Sequence, residues 1–194
     1  MKRVAITGGI GSGKSTVCKA LSATFGAPIY DSDARAKQIM DSDATVREAL
    51  IELFGPEAYT EGGSLNRAHI AKVAFGNKEK LASLNAIVHP KVVADFEMWA
   101  EQQQSDYVIL ESALLFSSPL VGHYDLAVVV DAPIKMRIER CVRRDGTTAQ
   151  QVEQRISNQM DAAQMRELAD IVVEADGREL APQLKIIDQR IRTL

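Results

Sequence analysis

The sequence predicts an α/β protein built on a parallel sheet, and three observations predict it. Two near-continuous apolar runs, Tyr107–Glu111 (YVILE) and residues 126–130 (LAVVV), have the composition of strands buried on both faces, as parallel sheets require. Strand-like runs alternate with helical patterns, which implies βαβ units. The first β-branched run, residues 3–7 (RVAIT), passes at once into a glycine-rich turn and then into an amphipathic pattern.

Taken in order, residues 3–7 form the first strand and Lys14–Phe25 the first helix, with Val17, Leu21 and Phe25 spaced by four to make one apolar stripe. Residues 27–30 (APIY) are the candidate second strand. Residues 107–111 and 126–130 are the third and fourth. A helix over 134–144 follows Pro133, which a first helical turn tolerates. Residues 170–173 (DIVV) give a fifth, shorter strand, and residues 180–191 a last amphipathic helix.

One region breaks the alternation. From Asp33 to about Gln104 only helical patterns occur. Asp43, Asn66 and Asn77 each precede one (ATVREALIELF, RAHIAKVAF and KEKLASLNAIV), and each can cap it by accepting backbone N–H bonds. Residues 55–64, with Pro56, Gly62 and Gly63, read as a loop. The expected organisation is a core of residues 1–31 and 105–194, a helical insertion over 32–104, and a lid over 137–160 within the core segment. Substrate binding is the leading role for the insertion, and packing alone is the alternative.

Composition bounds the partners. The 194 residues carry 23 Lys and Arg against 26 Asp and Glu, for a net charge of −3. A mildly acidic chain lacks the basic face that non-specific nucleic-acid binding needs, so no nucleic acid is expected. The 46% apolar content supports a sizeable core. Two cysteines, Cys18 and Cys141, cannot make a disulfide scaffold, which points to a reducing compartment. The apolar stretch after Lys2 and Arg3 is too short for a signal peptide, and no window approaches the roughly 18 apolar residues of a membrane span. A cytoplasmic protein without membrane contact is the expectation. Its oligomeric state is open, with a monomer favoured.

The glycine-rich turn carries the chemistry. Gly8-Gly9-Ile10-Gly11-Ser12-Gly13-Lys14-Ser15-Thr16 matches G-x-x-x-x-G-K-[ST], after a strand and before a helix. The glycines let the backbone curl so that successive N–H groups point inward, and the helix N-terminus adds positive potential. Gly11, Ser12, Gly13, Lys14, Ser15 and Thr16 are the candidate ATP contacts. Lys14 reaches the β and γ phosphates, and the Ser15 hydroxyl is placed to ligate Mg²⁺. A dinucleotide loop is excluded, because Lys14 stands where its third glycine belongs. The fold is therefore expected to be that of P-loop NTPases of the nucleotide-kinase kind, a three-layer α/β/α arrangement around a parallel five-stranded sheet.

The reaction class follows from the other residues. No N-K-x-D guanine signature is present, and the length suits a small kinase with its own acceptor lobe. Asp31 and Asp33 follow the second strand, at the edge where such sheets bind ligands. One of them can orient an acceptor hydroxyl and take its proton, and either can instead cap the next helix. Arg137, Arg140 and Arg144 share a helical face, with Arg143 beside them. Arg140 or Arg144 can neutralise charge on a transferring phosphoryl group, or the face is simply solvated. Glu111, at the end of the third strand, either holds Mg²⁺ through water or is a surface acid. Another small nucleoside or nucleotide kinase, or a non-catalytic ATP-binding switch, would use the same loop. An acceptor lobe and an Asp after the second strand favour an enzyme over a switch.

At this point the chain resembles the bacterial dephospho-coenzyme A kinases. ITGGIGSGKST is similar to that family's N-terminal signature, and Asp31-Ser32-Asp33 to its D-x-D. His89-Pro90, expected at a helix end, matches its His-Pro pair, and Ala113-Leu114-Leu115-Phe116 resembles its P-L-L-F segment. Val129-Val130-Asp131, Arg140, Arg144-Asp145, residues 154–159 and residues 169–177 continue the likeness in order. Departures are Ala113 for proline, Ser117 for glutamate, Ala175-Asp176 for an asparagine-rich pair, and Lys37 for arginine. The resemblance implies transfer of the γ-phosphate of ATP to the ribose 3′-hydroxyl of dephospho-CoA, the last step of coenzyme A synthesis, with Mg²⁺. It implies Asp33 as catalytic base, with Lys14, Arg140 and Arg144 also catalytic. Thr7, Asp31, Asp33 and His89 would lie on the dephospho-CoA side, and Ser15 and Glu111 on the metal side, Glu111 through water.

Overall fold

The computed structural model describes residues 1–74 and 77–194. The strands are β1 (Lys2–Thr7), β2 (Ile29–Asp31), β3 (Tyr107–Glu111), β4 (Leu126–Asp131) and β5 (Ile171–Glu174). The helices in chain order are α1 (Lys14–Phe25), α2 (Ser32–Ser42), α3 (Ala44–Phe54), α4 (Arg67–Ala74), α5 (Lys78–Glu101), α6 (Ile134–Asp145), α7 (Ala149–Ser157), α8 (Ala162–Glu167) and α9 (Leu180–Arg192). The chain divides into two compact units, Met1–Asp31 with Ala100–Leu194, and Ser32–Trp99.

The first unit is a parallel five-stranded sheet in the order β2-β3-β1-β4-β5. Val4 and Ile6 of β1, Val128 and Val130 of β4, and Val173 of β5 share one buried cluster with Val17 and Leu21 of α1 and Leu184, Ile187 and Ile191 of α9. Alternate residues Ala5, Val108, Leu110, Ala127 and Val129 are buried too, which explains why β1, β3 and β4 read as unbroken apolar runs. Truncating Leu21 to Ala in such packing costs about 2–5 kcal/mol.

The register aligns the strand ends. Asp31 and Ile6 both lie opposite Glu111, Thr7 lies opposite Val129, and Asp131 lies opposite Glu174. The C-terminal edge of the sheet therefore presents Thr7 and four carboxylates: Asp31, Glu111, Asp131 and Glu174. Arg166 of α8 donates to Asp131 Oδ2 and Glu174 Oε1, both at 2.8 Å.

Small corrections have local causes. β2 begins at Ile29 rather than Ala27, because Pro28 has no N–H to give and joins the ladder only through its carbonyl, which accepts from Ile109 N at 2.8 Å. β5 begins at Ile171, since Asp170 turns its carboxylate to Ala127 N at 2.7 Å. Pro133 is the N-cap of α6 and not part of its first turn. The expected loop 55–64 holds a short 3₁₀ turn, Pro56–Ala58, and a bridge between Tyr59 and Leu65.

The second unit is helical. The Asp43 carboxylate accepts from Thr45 N and Val46 N and caps α3, as expected. Asn66 accepts from His69 N and Asn77 from Lys80 N in the same way. Val46, Leu50, Phe54, Tyr59, Ile70, Val88, Val92 and Phe96 are buried. Arg35 of α2 makes a two-pronged pair with Asp95 of α5, at 2.7 and 2.5 Å. Phe75, the last residue of the pattern read after Asn66, lies outside the described residues.

The largest difference is at His89-Pro90. The sequence reading ends a helix there, yet α5 runs through it from Lys78 to Glu101. Pro90 removes one i→i−4 bond and its ring crowds the carbonyl four residues back, a cost of about 3 kcal/mol. Val88, Val92 and Phe96, spaced by four and buried, lie on both sides of the break and offset it.

Candidate active site

The loop between β1 and α1 is shaped by its glycines and gripped by side chains. Gly11 has φ 75 and Gly13, the N-cap of α1, has φ 105. Gly13 opens the helix, its carbonyl accepting from Thr16 N and Val17 N at 3.0 and 3.1 Å. A Cβ at Gly9 would overlap the Arg137 guanidinium, so any side chain there would have to displace that group. Lys14 Nζ donates to Gly8 O at 2.8 Å and Gly9 O at 3.2 Å, which holds the ammonium at the mouth of the loop. The Ser12 hydroxyl, in a residue 1% exposed, has no hydrogen-bond partner among the described residues. It lies on the Gly8 side of the loop, where a Cβ at Gly8 would come within 2.9 Å of it.

Ser15 and Glu111, two candidates 96 positions apart, meet. Ser15 Oγ donates to Glu111 Oε1 at 2.6 Å. Both are hard oxygen donors of the type Mg²⁺ takes, one on the loop helix and one at a strand end. Among the described residues no three His, Cys, Asp or Glu side chains cluster as a metal cage. One or two protein oxygens, with water and phosphate oxygens, are the usual set for Mg²⁺. Cys18 lies buried on α1 below this pair, and burial together with the Glu111 charge pushes its thiol up, so it stays protonated and inert.

Thr7 is buried at the end of β1. It lines a small cavity with Leu114, Phe116, Gln159 and Met160. Asp31 closes β2 beside Glu111. Asp33 stands two residues further on, exposed in the first turn of α2, where the helix dipole favours a negative charge. His89 lies half-buried within α5, and burial lowers its pKa, favouring the neutral ring. Asp33 and His89 belong to the helical unit, and the loop, Thr7, Asp31, Glu111 and the arginines to the sheet unit.

The arginines separate into two kinds. Arg140 donates to Gly11 O at 3.3 Å, to Ser12 O at 3.1 Å and to Ala175 O at 2.7 Å, fastening the loop to the segment after β5. Arg144 is turned away, donating to both oxygens of its neighbour Asp145 at 2.6 and 2.9 Å, where Arg155 also donates at 3.1 Å. Those guanidinium groups hold the Asp145 carboxyl down at about 2. Arg137 is the residue the sequence reading passed over. It is 6% exposed, and its Nε donates to Ile10 O at 3.0 Å. Its place on the shared helical face was legible, but its burial was not. A second contact was also missed: Gln159, between α7 and α8, accepts from Ile10 N through Oε1 at 2.8 Å. No residue-level signal beyond the family-like 154–159 segment marks it.

Comparison with known proteins identifies relatives over nearly the whole chain. The dephospho-CoA kinase family profile matches residues 2–180. The chain is similar to the dephospho-CoA kinase of Porphyromonas gingivalis, with 42% identity over 195 residues, covering 100% of this chain and 96% of that protein. It resembles the crystal structure of TT1252 from Thermus thermophilus, with a TM-score of 0.86, 34% identity, and coverage of 98% and 97% of the two chains. The dephospho-CoA kinase from Campylobacter jejuni shares the fold at a TM-score of 0.69 and 21% identity, over 100% of this chain and 98% of that one.

Proposed function

The chain belongs to the dephospho-CoA kinase family, and from that membership we propose how its own residues divide the reaction. It is a phosphotransferase that phosphorylates dephospho-CoA at the expense of ATP, in coenzyme A synthesis. The observation that carries this reading is the family match spanning the phosphate loop, the helical unit and the arginine segment together.

The loop amides, Lys14 and the α1 N-terminus take the triphosphate. Ser15 and Glu111 are the side chains that would hold Mg²⁺, Glu111 through water. The ion, when bound, offsets charge on the phosphate oxygens. Residues 32–104 form the acceptor lobe. Thr7, Asp31 and His89 lie on the dephospho-CoA side, which rests on the resemblance.

Asp33 is the base. It takes the proton of the ribose 3′-hydroxyl as that oxygen bonds to the γ-phosphorus. The bond from the γ-phosphorus to the bridging oxygen breaks, and ADP leaves with the electron pair. Its position just past β2, in a D-x-D segment, supports this role. Arg144 is the lid cation, which exchanges Asp145 for phosphate when the acceptor and donor are in place. Arg140 acts from behind the loop, through its carbonyls.

The test is ADP release by the purified protein with ATP and Mg²⁺. Strong stimulation by dephospho-CoA, and none by nucleosides or nucleoside monophosphates, is the expected result. Stimulation by a monophosphate alone would make it a nucleotide kinase, and no stimulation by any acceptor would make it a switch.

A further inference from the structure

An anion nest turns its N–H groups inward, which leaves its carbonyls facing out and in need of donors. From Gly8 to Ser12 every carbonyl meets a cationic side chain. Lys14 serves Gly8 and Gly9, Arg137 serves Ile10, and Arg140 serves Gly11 and Ser12. Within that run Ile10 is held at both ends of its own backbone. Its N–H donates to Gln159 Oε1 at 2.8 Å, and its carbonyl accepts from Arg137 Nε at 3.0 Å. We propose that Arg137 and Gln159 are a pair of positioning residues that clamp Ile10 and so keep the phosphate loop in its anion-binding shape before a triphosphate arrives.

Three observations support the clamp. The packing leaves no slack, since a Cβ at Gly9 would overlap the Arg137 guanidinium and one at Gly11 would overlap the Arg137 carbonyl. Arg137 is also kept as a buried cation, which is costly without contacts that need it. Finally, the two partners come from opposite ends of the 137–160 segment, Arg137 in the first turn of α6 and Gln159 just beyond α7. That segment therefore closes on the loop at both ends. A loop ordered in advance binds its ligand without losing that freedom at the moment of binding, so the clamp acts on affinity and not on the chemical step.

The ligand in this inference rests on the kinase reading, but its test does not require turnover. ATP binding with Mg²⁺ is measured calorimetrically for the wild type, Gln159→Ala, Arg137→Gln, and the double variant. Each single change should raise the ATP Kd roughly three- to tenfold, the worth of one net hydrogen bond. The kcat at saturating substrates should stay within about twofold, so that the loss is read in ATP affinity. The double variant should lose less than the product of the single losses, because releasing either end of Ile10 already frees it. Gln159 is half-buried and uncharged, and it lies outside the helices, so Gln159→Ala carries the test if the buried Arg137 variant fails to fold. A Gln159→Ala protein with wild-type ATP affinity, whatever its Tm, overturns the clamp. So does a fully multiplicative double variant. Wild-type protein that binds ATP but is not stimulated by dephospho-CoA overturns the functional reading instead, and leaves the binding comparison intact.

Discussion

Ser15 Oγ and Glu111 Oε1 lie 2.6 Å apart, joining the second residue of α1 to the last residue of β3. The pair ties the phosphate loop to the sheet edge through one hydroxyl and one carboxylate. Glu111→Gln keeps the shape and removes the charge. Turnover should fall about tenfold or more, and the Mg²⁺ concentration giving half-maximal ADP release should rise. An unchanged Mg²⁺ titration would reduce Glu111 to a brace for Ser15.

Asp33→Asn removes a proton acceptor and leaves the loop intact. Turnover should fall about 10²–10⁴-fold while ATP binding changes by less than about threefold. Steady-state kinetics beside calorimetry separate the two. Turnover within a few-fold of wild type removes Asp33 from the chemistry.

Lys14 donates to two loop carbonyls from the first position of α1. Lys14→Ala should weaken ATP binding and lower kcat together, since the ammonium serves both the bound and the transferring phosphate. ATP that binds and reacts normally in this variant would refute the loop assignment.

Arg140 makes three contacts to two segments, and Arg140→Ala removes them all at once. The ATP KM should rise about tenfold or more, with a smaller change in kcat. Arg140→Lys cannot reproduce the fork and should recover only part of the loss. Full recovery would mean that charge alone matters at this position.

Acid should weaken the arginine segment in a defined window. The Asp145 carboxyl is held at about 2 by Arg144 and Arg155, below its ordinary value of about 3.9. A lowered carboxyl contributes stability above its unfolded value and loses it as the pH falls through its folded value. The loss should therefore run from about pH 4 down to about pH 2. Asp145→Asn should flatten the dependence of the urea midpoint on pH across that window, and an unchanged slope would show the pairs contribute nothing.

Elements fixed by short-range physics were legible in the sequence. α1 and β3 fall on the residues their periodicity and composition indicate, and Asp43, Asn66 and Asn77 cap as their side chains dictate. What was not legible depends on burial. Pro90 looks like a helix end locally, and only the packing of Val88, Val92 and Phe96 carries α5 through it. Arg137, Arg140 and Arg144 look equivalent on a helical wheel. The folded chain buries the first, fastens the second to two segments and gives the third to Asp145. Gln159 has no chemistry that marks it in advance, and its contact with Ile10 exists only once α7 has turned back.

The row of carboxylates along the sheet edge is uneven. Asp131 and Glu174 share the charge of Arg166, whereas Glu111 meets a neutral hydroxyl. Arg166 cancels one of those two negative charges, and Arg137 also interacts electrostatically with Asp131, so the β4–β5 end of the rim is offset by fixed arginines. A polyanion therefore meets less repulsion there than two bare carboxylates would give it. The strand ends supply the negative charge of the rim, and the helices that pack beside them decide how much of it is left exposed.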